Sequence, residues 1–184
     1  IAPFTVDVAS ARLAIPAATA RRLLDPAKTF GHPRLAYRDV ASAANRLTLI
    51  AAIIPARTVT THTLFCLKGA LGLVEQQFLC AIFNSFVANY LVRLRVGMHV
   101  TTSILESLPV PIAGRDAPAF QALARLARLL ARHPGDTAAA ASLQACVARL
   151  YGLDEAEFRH VLASFPLVPA AIREAALSAF RASP

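Results

Sequence analysis

The chain has no tryptophan and only three tyrosines in 184 residues. Surface aromatics are therefore too scarce for the stacking platforms that grip single-stranded nucleic acid. Its seven glycines form neither a GxGxxG nor a GxxxxGK[ST] run, which excludes the usual backbone cradles for dinucleotides and nucleoside triphosphates. Cys66, Cys80 and Cys146 sit in apolar company, and no two of them make a CxxC pair. They read as buried thiols in a reducing compartment. None of the five histidines is near a cysteine in sequence, so no zinc ligand set is visible.

Carboxylates are scarce as well. Eleven Asp/Glu face nineteen Lys/Arg, and residues 1–112 hold five acids, all scattered singly. There is no HExxH, no GxSxG and no closely spaced carboxylate–lysine set of the kind metal-dependent nucleases use. The expectation is that this chain is not itself an enzyme, holds no metal and binds no cofactor. Long apolar runs are missing too. The longest, "FLCAIFNSFVANYLV" (Phe78 to Val92), falls short of the roughly 20 residues of a membrane span. Asn84, Ser85 and Asn89 also interrupt it. A buried helix, no membrane partner and a cytoplasmic location are expected. The opening "IAPFTVDVAS" has no initiator Met, basic leader or cleavage site, and reads as a piece of something longer.

What is present is positive charge. The net charge is +8 with a pI near 10.4, a balance that favours a polyanionic partner such as DNA, RNA or an acidic membrane surface. Residues 1–112 carry 11 − 5 = +6 and residues 113–184 carry 8 − 6 = +2, so the anion-binding face belongs mainly to the first part.

The pattern predicts an α+β fold in two parts, 1–112 and 113–184, with the boundary at "AGRDAP". The first part reads as a mixed α/β lobe. A short strand is expected in "FTVDVAS", a helix in "AATARRLLDP" stopped by Pro26, and a strand through Leu35, Tyr37 and Val40. Further strands are expected in "LTLIAAIIP" and "TVTTHTLFCLKG", the former too apolar to face water on one side. One central buried helix then runs from Leu73 to about Leu94. Phe78, Ile82, Phe86 and Tyr90 line one face of it; Ala81, Asn84, Ser85 and Ala88 form a small-residue stripe that lets another backbone come close. His99 to Thr102 read as extended, and "LPVPI" forbids a helix. The second part reads as a small helical lobe of three or four helices packed on the first. Leu123, Leu126 and Leu130 of its first helix point inward and Arg125, Arg128 and Arg132 outward. Asp136 or Thr137 is expected to cap the second helix, Gly152 to end it, and Asp154 to cap the third.

Side chains suited to nucleic acid gather at the strand ends of the first part: Arg34, Arg38, Asn45, Arg46 and Arg57, then Thr61, His62 and Thr63 beside Thr60. Arg93, Arg95, His99 and Thr101 follow the central helix, next to Thr102. An arginine can fork onto guanine and an asparagine onto adenine, whereas threonine suits phosphates. Plainer readings stand beside these. Arg38 and Asp39 can pair with each other, Asn45 can close a turn, and "TVTTHT" with His62 can be a solvated strand. The stripe of Arg125, Arg128 and Arg132 can be a solvated helix face, and Asn84–Ser85 can serve packing and capping.

Together, "YRDVASAANRLTLIAAIIP" and "AIFNSFVANYLVRLRVGMHVTTSILESLPVP" resemble the C-terminal target-recognition region of restriction–modification N6-adenine DNA methyltransferases, above all the large single-chain (type IIG-like) enzymes. The resemblance rests on Tyr37–Arg38, Asn45 with Thr48, Ile53 to Pro55, Phe83 to Ser85 (Phe83 standing where Leu is usual) and Leu108 to Pro111. The tail "LYGLDEAEFRHVLASFP" is also similar, and the likeness covers most of residues 30–166. The family's glycine-rich S-adenosylmethionine motif and Asn-Pro-Pro-Tyr-type motif do not occur here. The resemblance thus implies a double-stranded DNA recognition part whose S-adenosylmethionine-dependent catalytic domain lies upstream in the same parent chain, and it leaves open whether that parent also cleaves DNA. Two other classes stay open: a general nucleic-acid module without base specificity, and a protein-interaction domain.

Overall fold

The computed structural model describes residues 1–11, 13–24, 31–69 and 71–182. Among them lie eight helices and one three-stranded antiparallel sheet, an α+β fold. The chain runs α1 (Ala17–Leu23), β1 (Arg34–Arg38), β2 (Ala51–Ile54), β3 (Leu64–Cys66), α2 (Leu73–Phe83), α3 (Phe86–Arg93) and α4 (Thr102–Glu106). It continues as α5 (Pro118–Arg132), α6 (Thr137–Leu150), α7 (Glu155–Ala163) and α8 (Ala170–Ala182). Pro26, expected to stop the first helix, lies outside the described residues. No helix among the described residues is long and apolar enough to cross a membrane.

β1 is the central strand. Tyr37 stands opposite Ala51 of β2 on one side and Phe65 of β3 on the other, and Arg34 to Tyr37 are buried. β2 is likewise almost wholly buried, as its lack of alternation requires. The small sheet packs on α2, which in turn packs on α5, with Phe78 stacked on Phe120 at 4.6 Å between centroids. Every strand lies before residue 67 and α5 to α8 follow the extended "LPVPI". One hydrophobic core nevertheless runs through both parts, from Leu35 to Phe180.

Four local expectations are corrected. The run at 4–10 is not a strand: the Ser10 amide donates to Asp7 Oδ1 at 3.0 Å, and Phe4 has φ +65°, so the chain turns. In "TVTTHTLFCLKG" only Leu64–Cys66 pair, because Thr61 and Leu64 close a turn through backbone hydrogen bonding. His99 makes a single bridge to Val40, after which Thr101 caps α4 through its side chain.

The fourth correction concerns the central helix, which breaks at Asn84–Ser85. Ser85 is extended (φ −79°, ψ 155°), and its hydroxyl accepts the Ala88 amide at 3.1 Å, starting α3 afresh. The break lets two buried asparagines hydrogen-bond the backbone at the start of β2 and in the segment just before it. Asn84 accepts the Ala51 N–H at 3.0 Å and donates to the Ala51 carbonyl at 2.8 Å. Asn89 accepts both the Thr48 and Leu49 N–H groups at 2.8 Å and donates to the Leu49 carbonyl at 3.1 Å. From α6, Gln144 bridges the break: it accepts the Phe86 amide at 2.7 Å and donates to the Asn84 carbonyl at 3.3 Å. The small-residue stripe therefore admits a strand, with the asparagines acting as its hydrogen-bonding neighbour.

Candidate nucleic-acid interface

Arg38 is the last residue of β1 and the only exposed one on that strand. The chain behind it is fixed on both sides. The Val100 amide donates to the Asp39 carbonyl at 2.8 Å and the Ala41 amide to the Met98 carbonyl at 3.2 Å. Asp39 does not pair with Arg38; its Oδ2 faces His99 Nδ1 at 2.9 Å. Arg38 is thus left without a side-chain hydrogen bond or ion pair among the described residues.

The next segment is a tight turn. Asn45 donates its N–H to the Ser42 carbonyl at 3.1 Å, while its Oδ1 accepts the Ser42 N–H at 2.6 Å. The plainer expectation for Asn45 holds in that respect, and the residue is exposed. Arg93 fastens this turn to the rest of the fold. Its Nε donates to Thr48 Oγ1 at 3.1 Å, Nη2 to the carbonyls of Asn45 and Arg46, and Nη1 to the Ser164 carbonyl at 2.6 Å. Its guanidinium also lies 4.0 Å from the centroid of the Phe165 ring. Burial lowers its pKa from the ordinary arginine value.

Two hollows meet at Arg38. One, of about 580 Å³, is walled by Arg38, Asn45, Arg46 and Thr48 on one side and by Phe4, Leu130 and Val168 on others. The second, of about 540 Å³, is lined by Arg38, Val40 and the hydroxyl-rich group Thr58, Thr60, Thr61 and Thr63. Arg46, Arg57 and His62 are exposed, and neither Arg46 nor Arg57 has an ion-pair partner among the described residues. Arg57 sits at an exposed turn with φ +63°.

The remaining candidates are engaged by other parts of the chain, Arg95, His99 and Thr101 while still exposed. Arg34 is buried on β1 with its Nη2 on the Thr58 carbonyl, so it braces the β2–β3 connection. Arg93 anchors the turn described above. Arg95 Nη1 donates to Ser107 Oγ at 2.9 Å and to its carbonyl at 3.2 Å, joining the end of α3 to the end of α4. His99 is held by Asp39, and Thr101 by its capping bond to the Ile104 amide at 3.3 Å. The structure therefore brings together Arg38, Asn45, Arg46, Thr61 and Thr63 around two adjoining hollows, with Arg57 and His62 exposed, while Arg34, Arg93, Arg95, His99 and Thr101 line neither hollow and bond to other parts of the chain.

Phe4 as a wall and Asn89 as a strand partner were not foreseen. For Asn89, the signal was an amide side chain inside an apolar helical run, where a polar group without a partner would be costly. Such an arrangement of free guanidiniums, hydroxyls and one amide can hold phosphates and fork onto base edges. Among the described residues, no group of three or more His, Cys, Asp or Glu side chains is placed to hold a metal ion. Comparisons with family models, curated proteins and solved structures gave no match.

Proposed function

We propose that the chain is a sequence-specific, double-stranded DNA recognition part of a restriction–modification adenine methyltransferase, placing a target site before a catalytic domain elsewhere in the parent. The observation that carries this reading is Arg38. It is exposed at the junction of two hollows, and its neighbouring carboxylate is already held by His99. A guanidinium whose neighbouring carboxylate is already taken is left for an anionic ligand rather than for a solvated ion pair. The +6 charge of residues 1–112 supplies long-range attraction for the same ligand.

In this reading Arg38 and Arg46 reach base edges, Asn45 offers its amide, and Thr61, His62, Thr63 and Arg57 lie along phosphates. Flipping an adenine out of the stack costs a few kcal/mol, roughly 2–4, and contacts to flanking bases offset it. The parent's catalytic domain would bring S-adenosylmethionine and the methyl-transfer chemistry, in the cytoplasm. Exposed Leu94 and Met98, beside the His99 bridge, give that domain an apolar surface to meet. The test is competition between a selected and a scrambled duplex, for the protein and for Arg38→Ala.

A further inference from the structure

The two hollows that meet at Arg38 do not end at the first part of the chain. Phe4 walls the larger one and also a third, smaller hollow of about 160 Å³, lined by Ile53, Leu73, Ala131, Arg128 and Arg132. The first two hollows share Arg38 and Val40, and the third borders the larger one at Phe4, which places Arg128 and Arg132 of α5 next to the cluster around Arg38.

That face is unusual for a merely solvated one. α5 reads PAFQALARLARLLAR and contains no carboxylate at all. Arg125, Arg128 and Arg132 are exposed and have no ion-pair partner among the described residues. Arg128 and Arg132 are one turn apart, an i,i+4 pair of like charges, which disfavours a helix. Their separation along the axis is about 6 Å, near enough for both charges to face one stretch of a backbone that carries a charge every ~3.4 Å of axis per strand. A helix face that tolerates this repulsion, and lines a hollow sharing Phe4 with the one walled by Arg38 and Arg46, is complementary to a polyphosphate backbone.

We infer that Arg128 and Arg132 continue the DNA contact onto α5, gripping the phosphodiester backbone flanking the site read around Arg38. The inference rests on the DNA-recognition reading above and deepens it. Arg38 and Arg46 specify, whereas the α5 pair positions and strengthens without regard to sequence.

The experiment measures affinity against salt for the whole chain, using a duplex selected from a randomised pool and a scrambled duplex of equal length. The wild type, Arg128→Gln with Arg132→Gln, and Arg38→Ala are compared. Both α5 residues are solvent-facing, so the thermal midpoint of the double variant should match the wild type. The double variant should weaken both duplexes by the same factor and make the slope of log K against log salt shallower by about 1.8, or 0.9 per lost phosphate contact. Arg38→Ala should instead lose more on the selected duplex. A wild-type slope retained in the double variant overturns the α5 contact while leaving the DNA reading intact, and so does a loss confined to the selected duplex. No binding of either duplex by the wild type, as an acidic protein partner would require, overturns both.

Discussion

Removing the Asn89 side chain tests the element on which the whole arrangement stands. Asn89 is fully buried, and its Oδ1 is the acceptor for two backbone amides, Thr48 and Leu49, each at 2.8 Å. Its Nδ2 also serves the carbonyls of Leu49, Phe83 and Ser85 at 3.1, 3.1 and 2.9 Å. In Asn89→Ala the two amides face a void. Each stranded donor costs about 1–3 kcal/mol, so the loss is about 2–6 kcal/mol and centres near 4. Against a total of about 5–15 kcal/mol for a domain, that is a large share. Urea unfolding followed by circular dichroism gives the number directly, provided the slope with denaturant stays the same. Asn45→Ala removes an amide of similar size from an exposed turn and should cost about 1 kcal/mol or less. A loss under about 1 kcal/mol for Asn89→Ala would refute the idea that this side chain is the hydrogen-bonding partner that holds the segment leading into β2.

Arg93→Lys keeps the charge but cannot reach Thr48 Oγ1 and the Asn45, Arg46 and Ser164 carbonyls together. Limited proteolysis should cut faster between Ser42 and Leu47, and an unchanged cutting rate would show that the turn holds itself. Burial pushes the Cys80 thiol up to about 12 from 9.0, and burial pushes the Tyr37 and Tyr151 phenols up to about 12 from 10.0. Each ionises sooner in the unfolded chain than in the fold. Stability is therefore full below pH 9.0, the ordinary Cys value, and is lost as pH rises toward 12. Urea midpoints should fall steadily across that window; a flat alkaline profile contradicts the burial of these groups.

The helices after residue 117 were the most legible part of the sequence. Their leucines recur at helical spacing, and Asp136 and Asp154 cap where local chemistry places them, the latter reciprocated by Glu157. Gly152 ends its helix with φ +72°, a conformation that suits glycine. The apolar strands β1 and β2 were legible for a similar reason. The break at Asn84–Ser85 was not, because periodicity counts apolar residues and cannot see that two amides are needed by a strand more than thirty residues earlier. The threonine-rich stretch was over-read as strand because β-branched side chains favour extended chain, yet their hydroxyls and the Thr61–Leu64 turn compete with the ladder. Among the candidate site residues, residue type marked Arg34 and Arg93 as well as Arg38 and Arg46. Only the fold separates them, since a guanidinium serves equally to brace buried carbonyls or to wait for a phosphate.

The central claim is that the hollows meeting at Arg38 read base sequence in duplex DNA. Selection from a randomised duplex pool by the whole chain, followed by affinities for the selected and scrambled duplexes with the wild type and Arg38→Ala, tests it most directly. One enriched motif is expected. Arg38→Ala should weaken the selected duplex by about 1–3 kcal/mol and relax the preference at one base pair, while the scrambled duplex loses far less. An unenriched pool, or equal losses on both duplexes, would contradict the claim and leave Arg38 a phosphate or structural residue.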